Sequence, residues 1–124
     1  MEEKRFNNFD LEERTFNFAK AISLFLKKLP VSASNIEYNK QLIRSSGSVG
    51  ANYIEANEAL SKKDLLMRVK ISRKEAKESA YWIRLIISVN DDVYKKELNS
   101  LYNEVIELKK IFSQIIINIE KRKD

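Results

Sequence analysis

Apolar side chains recur along this chain at alternating intervals of three and four residues, the period of one face of an α-helix. Four stretches carry the pattern. In the first, Phe18, Ile22, Phe25 and Leu29 share a face. A helix is predicted from about Leu11 to Leu29, with Asp10 and Glu13 as its capping pair and Pro30 as its stop. The second is predicted from about Asn35 to Ala59, opened by Ser34 and Glu37. It is apolar on two sides: Ile36, Ile43, Gly47, Gly50 and Ile54 on one, and Tyr38, Leu42, Val49, Asn52 and Ala56 roughly opposite. A helix of that kind is covered on both sides. One side packs into the protein's own core, and the other calls for a further partner such as a neighbouring subunit.

The third helix is predicted to start after Ser61, with Asp64 three residues on, and to run to about Val89. Its seam is Leu65, Val69, Ser72, Ala76, Ser79, Ile83 and Ile86. The fourth is predicted from about Asp92 to Lys121, with Leu98, Leu101, Val105, Leu108, Phe112, Ile115 and Ile119 in unbroken rhythm. Such seams belong to knobs-into-holes packing. Short turns near Pro30, Leu60 and Asn90 make consecutive helices antiparallel neighbours. The expected fold is all-α, an antiparallel up-and-down four-helix bundle, one domain over residues 1–124. Residues 1–9 read as a polar tail or short arm carrying Phe6 and Phe9.

Composition narrows the chemistry. The chain has one proline and two glycines, too few for the turns of a sheet protein. Without cysteine there is neither a disulfide framework nor a thiolate metal site. Without histidine the commonest general base and metal ligand are missing. Met1 is followed by Glu2, Glu3, Lys4 and Arg5 rather than an apolar run, so no secretory signal is expected. The longest apolar runs, such as Ile115–Ile117, are far too short to span a membrane. A cytoplasmic protein that is not an enzyme, with no cofactor and no metal, is the expectation.

Both glycines fall inside the second helix, where each costs roughly 1 kcal/mol relative to alanine. Gly47 and Gly50 are therefore expected where another helix backbone comes close. Beside them, Arg44, Asn52 and Glu55, with Glu75 and Glu78 of the third helix, form a polar group. Paired carboxylates can hold a divalent ion. Arg44, Arg68, Arg73 and Lys74 are equally at hand, however, and a buried acid is normally paired. An interhelical polar network is the reading adopted.

Charge is unevenly placed. The net charge is +5. Residues 1–60 hold eight basic and eight acidic side chains, and residues 61–124 hold fifteen and ten. On the third helix Lys63, Lys70, Lys74, Lys77 and Arg84 fall within roughly 80° of arc, with Tyr81 among them and Lys62 and Arg73 at the flanks. A cationic row on a rigid rod suits a phosphate backbone, and a tyrosine suits a base. The alternative is a solvated outer face. Trp82 lies off the seam and reads as core or interface, and Lys121-Arg122-Lys123 as a helix end satisfying the dipole.

The string Leu42-Ile43-Arg44-Ser45-Ser46-Gly47-Ser48-Val49-Gly50-Ala51-Asn52-Tyr53-Ile54-Glu55-Ala56, then Ser61-Lys62-Lys63-Asp64-Leu65 and Lys70-Ile71-Ser72-Arg73-Lys74-Glu75-Ala76-Lys77-Glu78-Ser79-Ala80-Tyr81-Trp82-Ile83, resembles the intervening-sequence protein family. That family is named for reading frames inside insertions in bacterial 23S ribosomal RNA genes. Tyr53 and Ala56 stand where many members carry Ile and Gly, which places the chain in a branch of the family. The resemblance implies an up-and-down bundle, commonly a ring-shaped homopentamer. It is similar in fold to the accessory variability proteins of diversity-generating retroelements, basic pentamers that bind a reverse transcriptase and nucleic acid. The expected function is a nucleic-acid-associated adaptor or assembly factor. Its partners would be other copies of itself and RNA, DNA or a nucleic-acid enzyme. The alternative is a purely structural homo-oligomer or protein-interaction module.

Overall fold

The computed structural model describes residues 8–122. Its elements are α1 (Asn8–Leu26), α2 (Ala33–Asn57), α3 (Lys62–Ser88), a single 3₁₀ turn at Asp92–Tyr94, and α4 (Lys95–Glu120). Most of the segment read as a tail lies outside the described residues, and Asn8 and Phe9 belong to α1.

Cross-helix pairs fix the topology. Glu12 and Thr15 of α1 meet Asn57 and Gly50 of α2. Arg44 and Asn52 of α2 bond Glu78 and Arg68 of α3. Lys70 and Arg73 of α3 reach Glu120 and Ser113 of α4. Arg14 and Lys28 pair with Glu104 and Glu97 of α4. In every pair one partner's number rises as the other's falls, so neighbours run antiparallel and α4 closes on α1.

The seams follow the period, except that Leu65, Leu101 and Ile115 are only partly buried and Ile111 and Ile116 of α4 join the core. Phe18, Ile22 and Phe25, Leu42 and Val49, Val69, Ala76, Ile83 and Ile86, and Leu98, Val105, Leu108, Phe112 and Ile119 are all buried in one core. Each large apolar side chain so buried contributes roughly 1.5–3 kcal/mol. Tyr53 packs on Phe112 with centroids 5.9 Å apart, and Phe25 meets Tyr94 edge-on at 6.4 Å.

Helix starts move relative to expectation. The cap of α2 is Ser32, not Ser34: its extended backbone lets the hydroxyl accept the Asn35 N–H at 3.1 Å, and Ser34 is already helical. In α1, Asp10 lies in the first turn rather than capping it, because the helix begins at Asn8. Ser61 caps α3 as expected, accepting the Asp64 N–H at 3.0 Å. Asp92 opens a 3₁₀ turn, and α4 proper starts at Lys95.

The two glycines part company. A Cβ on Gly50 would lie 2.8 Å from Thr15 Oγ1 and 3.1 Å from Thr15 Cβ, so this is a close approach between α1 and α2. A Cβ on Gly47 would meet nothing within 4 Å. The expected close contact at Gly47 is not made within the chain, because that turn of α2 faces outward. Ile36, Ile43 and Ile54 on the same side are about half exposed. The close α2–α3 contact runs instead through small side chains. Ser45 and Ser79 share a hydrogen bond at 2.8 Å, Ser72 Oγ donates to the Val49 carbonyl at 2.9 Å, and Ala76 is fully buried with them.

At one end of the bundle the connections are tied together. The buried Asn35 amide donates to Asn90 Oδ1 at 2.9 Å and to the Pro30 carbonyl at 2.8 Å. Asn90 Nδ2 returns a bond to Asn35 Oδ1 at 2.8 Å and another to the Ile86 carbonyl at 2.9 Å.

Candidate nucleic-acid interface

α3 divides its charges by side. Its interior acids, Glu75 and Glu78, turn toward α2, and both bond the Arg44 guanidinium. Glu78 also accepts the Trp82 indole N–H at 3.1 Å. Burial pushes the Glu78 carboxyl up, but the Trp82 and Arg44 hydrogen bonds and the charges of Arg44 and Lys74 outweigh it. The net pKa lies below the usual glutamate value. The bond to Glu78 chiefly raises the Arg44 pKa in turn. Asn52 accepts from Arg68 at 3.1 Å. Arg44, Glu75 and Glu78 are thus joined in one cluster, and the Asn52–Arg68 pair is separate from it. Glu55 joins neither: its side chain is exposed on the outward turn of α2. Gly50 belongs to the α1 contact, and Gly47 to the surface. Among the described residues no three carboxylates converge where a metal ion would sit.

The outward side of α3 carries the cations, with Lys74 one turn from Glu78 and close enough to lower its pKa. Lys63, Lys70, Lys74, Lys77, Tyr81 and Arg84 are exposed, while Lys62 and Arg73 are half-buried at the edge of the row. Lys62 Nζ donates to the Arg122 carbonyl at 2.9 Å, and so braces the start of α3 against the end of α4. Lys70 lies 3.7 Å from Glu120, with both side chains about half exposed, a pair of little energetic weight. Arg73 donates to Ser113 Oγ at 3.3 Å.

Between α3 and α4 the row becomes a groove. Lys70, Arg73, Lys74, Lys77, Lys109 and Ser113 line a cleft of about 440 Å³. Lys109 and Ser113 carry no signal in the sequence. They belong to a different helix, and the face of α4 that meets α3 is set by packing. Five cations around one concavity focus a positive potential that no single lysine makes. Toward the N-terminus of α3, Lys63, Leu66, Met67, Lys70, Ile71 and Lys74 border a second shallow depression.

Tyr81 stands about half exposed in the row. Its ring meets Trp82 edge-to-face, centroids 5.2 Å apart at 73°. Trp82 itself is half-buried against Tyr38 of α2 at 5.8 Å.

Comparison with known proteins fits this architecture. The family model described as 23S rRNA-intervening sequence protein matches residues 7–114. A solved structure is also similar: a protein of unknown function from the S23 ribosomal protein family of Bacteroides thetaiotaomicron VPI-5482. It is 30% identical, the match covers 88% of this chain and 96% of that one, and the TM-score is 0.78. Among curated proteins no match was found. No helix among the described residues is long and apolar enough to cross a membrane.

Proposed function

The chain belongs to the 23S rRNA-intervening sequence protein family, and we propose that it works as a non-enzymatic, cytoplasmic adaptor that holds nucleic acid in the α3/α4 groove. One observation carries this reading. Lys70, Arg73, Lys74, Lys77 and Lys109 come from two helices to line one cleft, while Glu75 and Glu78, the nearby acids of α3, are bonded to Arg44. Phosphates entering the cleft release condensed counterions, which gives sequence-independent binding that weakens steeply with salt.

A second observation supports self-association. Ile36, Ile43 and Ile54 form a half-exposed apolar strip around Gly47, whose open side leaves room for a partner backbone. Family resemblance favours five subunits, and a ring would present five grooves at once, multiplying weak contacts. If the groove binds nothing, the strip still supports the reading of a structural homo-oligomer.

The test is a fluorescence anisotropy titration of RNA and DNA oligonucleotides at two salt concentrations. The parent is expected to bind at low salt. Replacing Lys70, Lys74 and Lys77 by Gln should weaken binding and lower the log–log salt slope by roughly 0.7–0.9 for each phosphate no longer neutralised. No binding by the parent at low salt, or equal binding by the triple variant, overturns the adaptor reading.

A further inference from the structure

We infer that the basic face of α3 selects single-stranded over duplex nucleic acid, with Tyr81, one helical turn beyond Lys77 at the end of the groove, as a base-stacking platform that Trp82 holds in place; this rests on the adaptor reading above. Exposed tyrosines usually sample several rotamers. Tyr81 does not stand alone: its ring lies edge-to-face on Trp82 at 5.2 Å. Trp82 is fixed on two further sides, by Tyr38 at 5.8 Å and by its indole N–H bond to Glu78. Glu78 in turn is held by Arg44 from α2. The ring on the basic face is thus anchored through three residues to the α2–α3 contact, with about half its surface still open to solvent. A platform ordered beforehand loses less entropy when a base stacks on it.

The charges around the ring suit the same ligand. Lys77 and Arg84 stand four residues before and three residues after Tyr81, about 10 Å apart along the helix axis. Phosphates on either side of a stacked base find a cation each. Glu78, three residues before the ring, would repel them, but Arg44 and the Trp82 N–H take up its charge. A duplex hides its base faces, so presenting one to Tyr81 requires unstacking; a single strand offers them freely. The cations attract both forms, and only the ring tells them apart.

Trp82 is the chain's one tryptophan, so the protein carries its own reporter. The experiment titrates a single-stranded oligonucleotide and the matching duplex into the full-length protein, following anisotropy and Trp82 emission. The single strand is expected to bind more tightly and to change the emission, and the duplex to leave the emission unaltered. Tyr81→Ala should weaken single-strand binding roughly 5- to 150-fold and duplex binding by less than about 3-fold, with the salt slope kept. Tyr81→Phe should bind like the parent, and it carries the test if the Ala variant folds poorly. Trp82→Phe, which drops the indole N–H, should narrow the single-strand preference and leave the salt slope unchanged. If the parent binds both forms equally and Tyr81→Ala weakens neither, or both alike, this inference falls and the adaptor reading stands. If the parent binds neither, both fall.

Discussion

Along the α2–α3 contact, polar groups are consumed inside the chain. Ser45 bonds Ser79, Ser72 bonds the Val49 carbonyl, and Glu75 and Glu78 converge on Arg44. On the outward surfaces side chains of other kinds stand exposed: the lysines of the α3/α4 groove, Tyr81, and the isoleucine strip of α2. One region has satisfied itself, and the other holds capacity in reserve. The difference separates what the fold needs from what a partner needs. Changes at the α2–α3 contact should therefore lower stability, and changes on the outer faces should lower association.

Ser79→Leu should have the largest effect. It forces a large side chain into a fully buried site and leaves the Ser45 hydroxyl only its longer bond, 3.4 Å, to the Leu42 carbonyl. The expected cost is about 3 kcal/mol, a fall in Tm on the order of 10 °C by calorimetry. A melt like the parent's would show that the contact is loose.

Arg44→Ala comes next. It leaves Glu75, whose side chain is 11% exposed, and Glu78 without their shared cation. With Arg44 itself half exposed, the destabilisation should be about 2 kcal/mol at neutral pH. The pH dependence has a definite sign. The Glu78 pKa is depressed in the folded protein, so its stabilisation is fully present above the unfolded value and disappears as pH falls through the folded one. The parent should therefore weaken below about pH 4.3, and the variant should weaken less over that range. Denaturant melts across the acid range measure both slopes.

On the groove side, the Lys70, Lys74 and Lys77 to Gln changes should each move stability by less than about 0.5 kcal/mol, although together they diminish binding. Finally, Gly47→Leu has open space around it and trades a poor helix former for a good one. Stability of the fold should hold or rise by up to about 1 kcal/mol. Light scattering should nonetheless report a smaller particle than the parent's. An unchanged mass would place the subunit contact away from this turn.

Periodicity makes the seams legible, because Val69, Ala76 and Ile83, or Val105 and Phe112, have one buried side whichever helix they meet. The helix starts are less so. Ser32 and Ser34 both suit a cap, and only the path of the chain after Pro30 chooses between them. Gly47 misleads because a missing side chain looks the same in a sequence whether it admits a helix or faces open space. Lys109 stays hidden because its role depends on how α4 is rotated against α3. Asn35 and Asn90 lie far apart in the chain, and two lone amides carry no local sign that they pair.

That amide pair gives the bundle a hinge pin. It joins the α1–α2 connection to the α3–α4 connection, so the two helical hairpins are riveted at one end and meet at the other through a turn at Leu60 that is open to solvent. Breathing motions in such a molecule acquire a direction. Amide protons near Asn57 and Lys62 should exchange with solvent well before those near Asn35 and Ile86. Replacing Asn90 with alanine would remove the rivet and let the bundle open from both ends at similar rates.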